Sequence, residues 1–185
     1  MLDSCVDTIL SQVRLLRQIA SEFSSFGTSP TVNPAVTKLR DLINEVVDPY
    51  RLGGAERVSF EVDIPENLPP LFVDRMLISR AVTNIIENAL FAMPSGGTLT
   101  LHAEADNGNI ELVITDTGVG MDEEDARRVF EPYFSTKAVG TGLGLSIARR
   151  NVEIHDGTIS IKSKRGVGTS VIIVLPVKIA VPAIA

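Results

Sequence analysis

The sequence contains one cysteine, Cys5, and two histidines, His102 and His155, among its 185 residues. A lone cysteine forbids an internal disulfide and suits a reducing compartment. So few thiols and imidazoles exclude a structural zinc site. Positive charge is also in deficit, with 17 basic against 23 acidic side chains and a net charge of −6. No global positive field exists to hold a phosphate backbone, so no nucleic-acid partner is expected without a local basic patch. Long apolar runs are missing. The most apolar stretch, Val171 to Ala185, is broken by Pro176, Lys178 and Pro182, too short and interrupted to cross a bilayer. No basic region precedes an apolar run at the N-terminus, so no secretory signal is read there. These absences point to a cytoplasmic segment with no direct membrane contact, from a parent that could itself be membrane-anchored. What remains is ordinary globular composition, 44% hydrophobic and 22% charged, enough for one domain with an appended element.

The appended element comes first. Leu2, Val6, Ile9, Val13, Leu16, Ala20 and Phe23 recur at alternating spacings of four and three, a heptad seam that needs a partner helix to bury it. The spacing predicts a bundle helix over 1–27, one half of a hairpin and hence part of a longer chain. A helix docked back on its own domain would use the same pattern. TSPTVNP then reads as a linker over 28–34, a globular domain follows over 35–178, and 179–185 form a tail.

Within the domain, helix and strand patterns alternate. Val36, Leu39, Ile43, Val46, Val47 and Tyr50 predict an amphipathic helix over 36–51. Val58, Phe60, Val62 and Ile64 alternate with polar residues as a half-buried strand does. A helix is expected over 74–93, a hairpin around Asp106-Asn107-Gly108, a helix over 143–155 and a second hairpin around Lys164-Arg165-Gly166. Neighbouring hairpins imply a mixed, largely antiparallel sheet. Amphipathic helices must cover one face of it, giving a two-layer α/β sandwich.

Three segments carry chemistry. On the 74–93 helix, Arg80, Asn84, Glu87 and Asn88 gather opposite the apolar Ile78, Val82, Ile85, Ala89 and Met93. Asparagine is a mediocre helix former, so a pair four apart invites a reason beyond solvation. In DTGVGM, Asp116 stands at a strand end beside Gly118 and Gly120, where a carboxylate and permissive backbone suit recognition of a polar edge. An Asp-Gly turn alone would explain most of that motif. In VGTGLGLSIARR, Gly140, Gly142 and Gly144 precede a helix whose free N–H groups can face an anion. Neither a dinucleotide fingerprint nor a Walker loop is present. Lys137 lies just upstream in FEPYFSTK, within reach of a terminal phosphate as a point charge.

In this order the segments resemble the ATP-binding domain shared by sensor histidine kinases, DNA gyrase, heat-shock chaperone ATPases and mismatch-repair ATPases, the Bergerat-type fold. NIIENA is similar to the N box, DTGVGM to the first glycine box, FEPYFSTK to the phenylalanine box and GTGLGLSIARRNVEIHDGTI to the second glycine box. Residues 6–27 resemble the second helix of the histidine-kinase dimerisation hairpin, most like the nitrogen-regulation branch. The resemblance implies that Asn88 offers its amide oxygen to Mg²⁺ held with ATP, and that Asn84 supports phosphates or metal. Asp116 would accept from the adenine amino group, helped through water by Thr169. Gly118 and Gly120 would shape the pocket. Gly140, Thr141, Gly142, Leu143 and Gly144 would line its phosphate side. Phe130 and Phe134 would anchor a lid over 121–141, from which Lys137 reaches the phosphate.

The same resemblance implies transfer of the ATP γ-phosphoryl group to a histidine on a missing dimerisation helix, a homodimeric parent and a response-regulator receiver domain as partner. Two alternatives stand beside it. One is an ATP-hydrolysing switch of the gyrase and chaperone type; the other is a nucleotide-binding regulatory module without catalysis. Asn84 speaks against the first, because hydrolysing relatives usually carry a glutamate base at that position. Phe91 and Ala92 stand where many kinases carry a cation and an aromatic, so those two contacts are not expected here. Neither His102 nor His155 is expected to be the phosphoacceptor.

Overall fold

The structure, a computed structural model, describes residues 31–52, 57–136 and 140–178 together with Val13. The expected bundle helix, Lys137 and the tail fall outside the described residues, Val13 apart. Described elements are, in order, β1 (Ala35–Thr37), α1 (Leu39–Leu52), β2 (Val58–Asp63), β3 (Leu71–Val73) and α2 (Arg75–Ala92). β4 (Gly97–Asp106), β5 (Asn109–Asp116), α3 (Glu123–Arg128), α4 (Gly144–Glu153), β6 (Thr158–Lys164) and β7 (Gly168–Pro176) complete the domain.

Five strands form the main sheet in the order β2-β4-β5-β7-β6. β2 pairs parallel with β4, and the other three ladders are antiparallel. The mixed, largely antiparallel sheet is therefore as the hairpin signals imply. Its tightest turn is Asn107-Gly108, both at positive φ (47° and 79°), the backbone twist that suits a two-residue hairpin. Strand alternation turns Leu99, Leu101, Ala103, Ile110, Leu112, Ile114, Val171, Ile173 and Leu175 to the buried face. Helices cover that face. α1 buries Leu39, Leu42, Ile43, Val46 and Val47, and α2 buries Ile78, Ala81, Val82, Ile85, Ile86 and Ala89. α2 packs against both α1 and α4.

One boundary departs from the sequence reading. The helix anticipated from Val36 starts at Leu39, because Ala35–Thr37 pair antiparallel with Leu71–Val73 in a separate two-stranded sheet. Val36 is 65% exposed and packs no helix face. Its β-branched side chain, and that of Thr37, favour the extended backbone adopted instead. α2 begins one residue after Asp74, which serves as N-cap: its Oδ1 accepts from the Met76 and Leu77 amides at 3.0 and 3.1 Å.

Candidate active site

A cavity of about 700 Å³ opens between α2, the loop after β5, residues 134–136 and 140–142, and the start of α4, a size suited to a nucleotide-sized ligand. Asn84, Asn88, Asp116, Gly120, Gly140, Thr141, Gly142, Gly144 and Thr169 all line it. The sequence motifs therefore converge on one place. Gly118 and Leu143 stand behind the wall: Gly118 touches Asp116, and the Leu143 side chain is buried in the core.

Asp116 ends β5 and pairs with Thr169 of β7. Its Oδ1 accepts from the Gly118 amide at 2.8 Å. Burial pushes its carboxyl above the usual carboxylate range, against the pull of backbone N–H donors at Gly118 and Thr169. The loop beyond is fastened to the β6–β7 hairpin. Gly166 N–H donates to Val119 O at 2.7 Å, and Met121 N–H donates to Ser163 Oγ at 2.8 Å. Gly120 sits at φ 61°, where a Cβ would lie 2.1 Å from Lys164 O. Only glycine fits so close an approach. Ser163 also lies 2.9 Å from Thr169 Oγ1, linking the loop to the residue beside Asp116. Nothing in the sequence singles out Ser163; its role comes from a cross-strand register that only the assembled sheet reveals.

α2 forms the opposite wall with Asn84, Glu87, Asn88, Phe91 and Ala92. Asn84 Nδ2 donates to Gly144 O at 2.9 Å, which leaves its Oδ1 as the group available to a ligand. Glu87 accepts from the Tyr50 hydroxyl at 3.4 Å. Burial, then the Glu87 carboxylate beside it, raises the Tyr50 phenol to about 12. Among the described residues no cluster of three His, Cys, Asp or Glu could hold a metal. A neutral amide such as Asn88, completed by phosphate oxygens and water, is a donor set that fits Mg²⁺.

The N-terminus of α4 faces this wall. Its N-cap, Leu143, makes no side-chain capping bond, so first-turn amides remain for an anion in the cavity. Tyr133, at φ 66°, donates its N–H to Gly142 O at 3.0 Å and so clasps the two described stretches together nearby. Phe134 lines the cavity under the Arg128 guanidinium, 4.4 Å from its ring centre, and Arg149 lies 5.9 Å from the Phe130 ring centre. Neither histidine lines the cavity. His102 is exposed and bonded to Asp63 at 2.9 Å. His155 is buried, with Nε2 accepting from the Asp74 amide at 2.9 Å and Nδ1 donating to Asn151 O at 2.6 Å. Both of its ring nitrogens hold structure.

A two-layer sandwich with an anion-ready helix end, an amide-bearing helix wall and a buried carboxylate defines an ATP-binding domain of the histidine-kinase and gyrase class. The family described as "Histidine kinase-, DNA gyrase B-, and HSP90-like ATPase" matches residues 73–179, and the chain belongs to it. Sporulation kinase E of Bacillus subtilis is 28% identical over 174 residues, covering 93% of this chain and 24% of that protein. Nitrogen regulation protein NtrY of Azorhizobium caulinodans is 34% identical over 166 residues, covering 86% and 21%. The solved mycobacterial sensor histidine kinase MprB superposes with a TM-score of 0.67 at 30% identity, over 79% of this chain and 97% of that one. The chain spans about a quarter of the length of these curated relatives. It carries their catalytic, ATP-binding module. No described helix is long and apolar enough to cross a membrane.

Proposed function

We propose that this module transfers the γ-phosphoryl group of ATP to a histidine nitrogen supplied by a separate dimerisation helix, since neither His102 nor His155 of this sequence is the acceptor. The bond from the γ-phosphorus to the ADP oxygen breaks as the bond to nitrogen forms, and ADP leaves. The observation that carries this reading is the polarity of the cavity: Asp116 at one end, and Asn84, Asn88 and the uncapped start of α4 at the other. Asp116, held by Gly118, orients the base by accepting from the adenine amino group, with Thr169 beside it. The α4 amides and Gly140, Thr141 and Gly142 receive the phosphates. Asn88 would hold Mg²⁺ together with the phosphate oxygens; the ion, when bound, neutralises charge on those oxygens. Lys137 lies outside the described residues and is assigned to the phosphates by the family resemblance of FEPYFSTK alone.

Asn84 donates to Gly144 through Nδ2 and, as an amide, takes up no proton at neutral pH, which favours transfer to a nucleophile that already carries a lone pair over activation of water. The parent is read as a homodimer acting on a response-regulator receiver domain, in the nitrogen-regulation branch, with this module in the cytoplasm. The sensor-kinase relatives support the partner class; NtrY is one of several comparably similar relatives, so the branch rests on the likeness of residues 6–27 alone. Incubation with labelled ATP, Mg²⁺ and a separate acceptor hairpin tests the proposal. Label on the hairpin histidine is the expected result. Release of free phosphate without label on the hairpin would favour the hydrolase reading, and nucleotide binding with neither would favour a regulatory module.

A further inference from the structure

α2 and α4 lie antiparallel and are tied at two levels by asparagine side chains. Near the cavity, Asn84 of α2 donates to Gly144 O of α4 at 2.9 Å. Two turns away, Asn151 of α4 donates to Leu77 O of α2 at 3.0 Å. Beyond the second tie, His155 takes the Asp74 amide on Nε2 and gives its Nδ1 proton to Asn151 O. Asp74 thus sits where both helices are fastened together at the end away from the cavity. It is buried, and its two carboxylate oxygens do different work. Oδ1 caps α2. Oδ2 accepts from the backbone amide of Asn33 at 2.9 Å. Asn33 is exposed and lies in the stretch that leads into β1 from the N-terminal segment.

From this chain of bonds we infer that Asp74 is a positioning residue coupling the entering chain at Asn33 to the two-helix frame of the nucleotide cavity. Occupancy of the cavity is thereby felt at the linker, and the state of the linker is felt in the cavity. The inference rests on the nucleotide-binding reading above. A ligand that contacts Asn88 on α2 and the first turn of α4 restrains both helices at once. Restraint at the cavity end is passed through two fixed cross-ties to Asp74, so the Asn33 bond opens less often. Coupling of this kind is reciprocal: whatever factor ADP adds to protection at Asn33, loss of the Asn33 bond must subtract from ADP affinity.

Two variants isolate the bond. Asp74→Asn keeps an oxygen for the helix cap, where Asn is as good as Asp, but presents an amide nitrogen to Asn33. Asn33→Pro removes the donor from the exposed side and leaves Asp74 untouched, so it serves even where the buried variant folds poorly. In the full chain, hydrogen exchange at the Asn33 amide and calorimetry of ADP are measured together. Saturating ADP is expected to slow Asn33 exchange by about fivefold or more, the usual lower range of such coupling. Asn33→Pro is expected to weaken ADP by the same factor. ADP binding with unchanged Asn33 exchange would overturn the coupling and leave the nucleotide reading standing. So would protection at Asn33 with unaltered ADP affinity in Asn33→Pro, since reciprocity then fails. Absence of ADP binding to the wild-type chain would sink both readings.

Discussion

Asp116 and Thr169 stand directly opposite each other on β5 and β7, and both are buried at the same end of the cavity, 7% and 8% exposed. Gly118 occupies Oδ1 of the carboxylate at 2.8 Å, so the arrangement is an acceptor aimed and held before any ligand arrives. An amino donor on a base satisfies it. A carbonyl at the same position would set acceptor against acceptor, at about 1–3 kcal/mol. Calorimetry should therefore give ADP a clear preference over GDP. Asp116→Asn adds a second signature. The folded pKa of Asp116 is raised by burial, so its ionised form opposes folding, and stability is regained only as pH falls through that raised value. The variant keeps an oxygen for Gly118 and removes the buried charge. Its melting temperature at neutral pH should match or exceed wild type while ADP binding weakens. Equal ADP and GDP affinity in the wild type would remove the base-recognition role.

Asn88 presents the opposite case, a polar side chain on a helix wall without a share in the core. Asn88→Ala should fold normally, because alanine is the better helix former. The gain in ADP affinity on adding Mg²⁺ should vanish, and phosphoryl transfer should fall by about a hundredfold, as for loss of one preorganised electrostatic contact. Titrating ADP with and without Mg²⁺ separates metal from base contacts. An undiminished Mg²⁺ effect would show that another group holds the ion.

Much of this was legible in the sequence because each signal is local. The hairpin turn at Asn107-Gly108, the apolar stripes of α1 and α2 and the spacing of Asn84 and Asn88 depend on near neighbours. Val36 misled because its contribution to an amphipathic pattern is outweighed by pairing with Phe72, a partner 36 residues away. Ser163, Asn151 and Asp74 carried no readable signal for the same reason. Asp74 resembles an ordinary helix cap until His155 and Asn33 are folded onto it. The spacing alone aims the asparagine ledge at a ligand, but half of the Asn84 amide is spent on Gly144, a bond invisible until α4 is placed.

Tyr50 gives a pH test independent of nucleotide. Its pKa rises from 10.0 to about 12 on folding. The neutral phenol is favoured in the folded state, so its contribution is fully present below the unfolded value and is lost as pH climbs through the folded one. Tyr50→Phe should lower stability modestly at neutral pH, because the bond to Glu87 is long at 3.4 Å. It should also flatten the fall in melting temperature across the alkaline window between those two pKa values. An identical alkaline slope in wild type and variant would show that the phenol does not titrate through folding.

Two glycines at the proposed phosphate end make a paired prediction. Gly142 sits at φ 67°, and a Cβ there would lie 2.5 Å from the Tyr133 carbonyl carbon and 2.7 Å from Phe134 O. Left-handed backbone costs an L residue about 1–2 kcal/mol, and the clash is with main chain that cannot swing aside. Gly142→Ala should therefore open the Tyr133 clasp, lowering both the melting temperature and ADP affinity. Gly144 differs: it is the first residue of α4, and the nearest atoms across the cavity to a Cβ there would be Asn88 Nδ2 at 3.8 Å and Asn84 atoms at 3.9 Å. Those are ordinary contacts, and Ala in a helix gains up to about 1 kcal/mol over Gly. Gly144→Ala should hold or raise the melting temperature. Its methyl group would nonetheless project toward both asparagines, into the space that the proposed function assigns to the phosphates, so ADP affinity should fall. Adenosine, which lacks phosphates, should bind Gly144→Ala as it binds wild type. Weakening of adenosine and ADP by equal factors would place Gly144 away from the phosphate end.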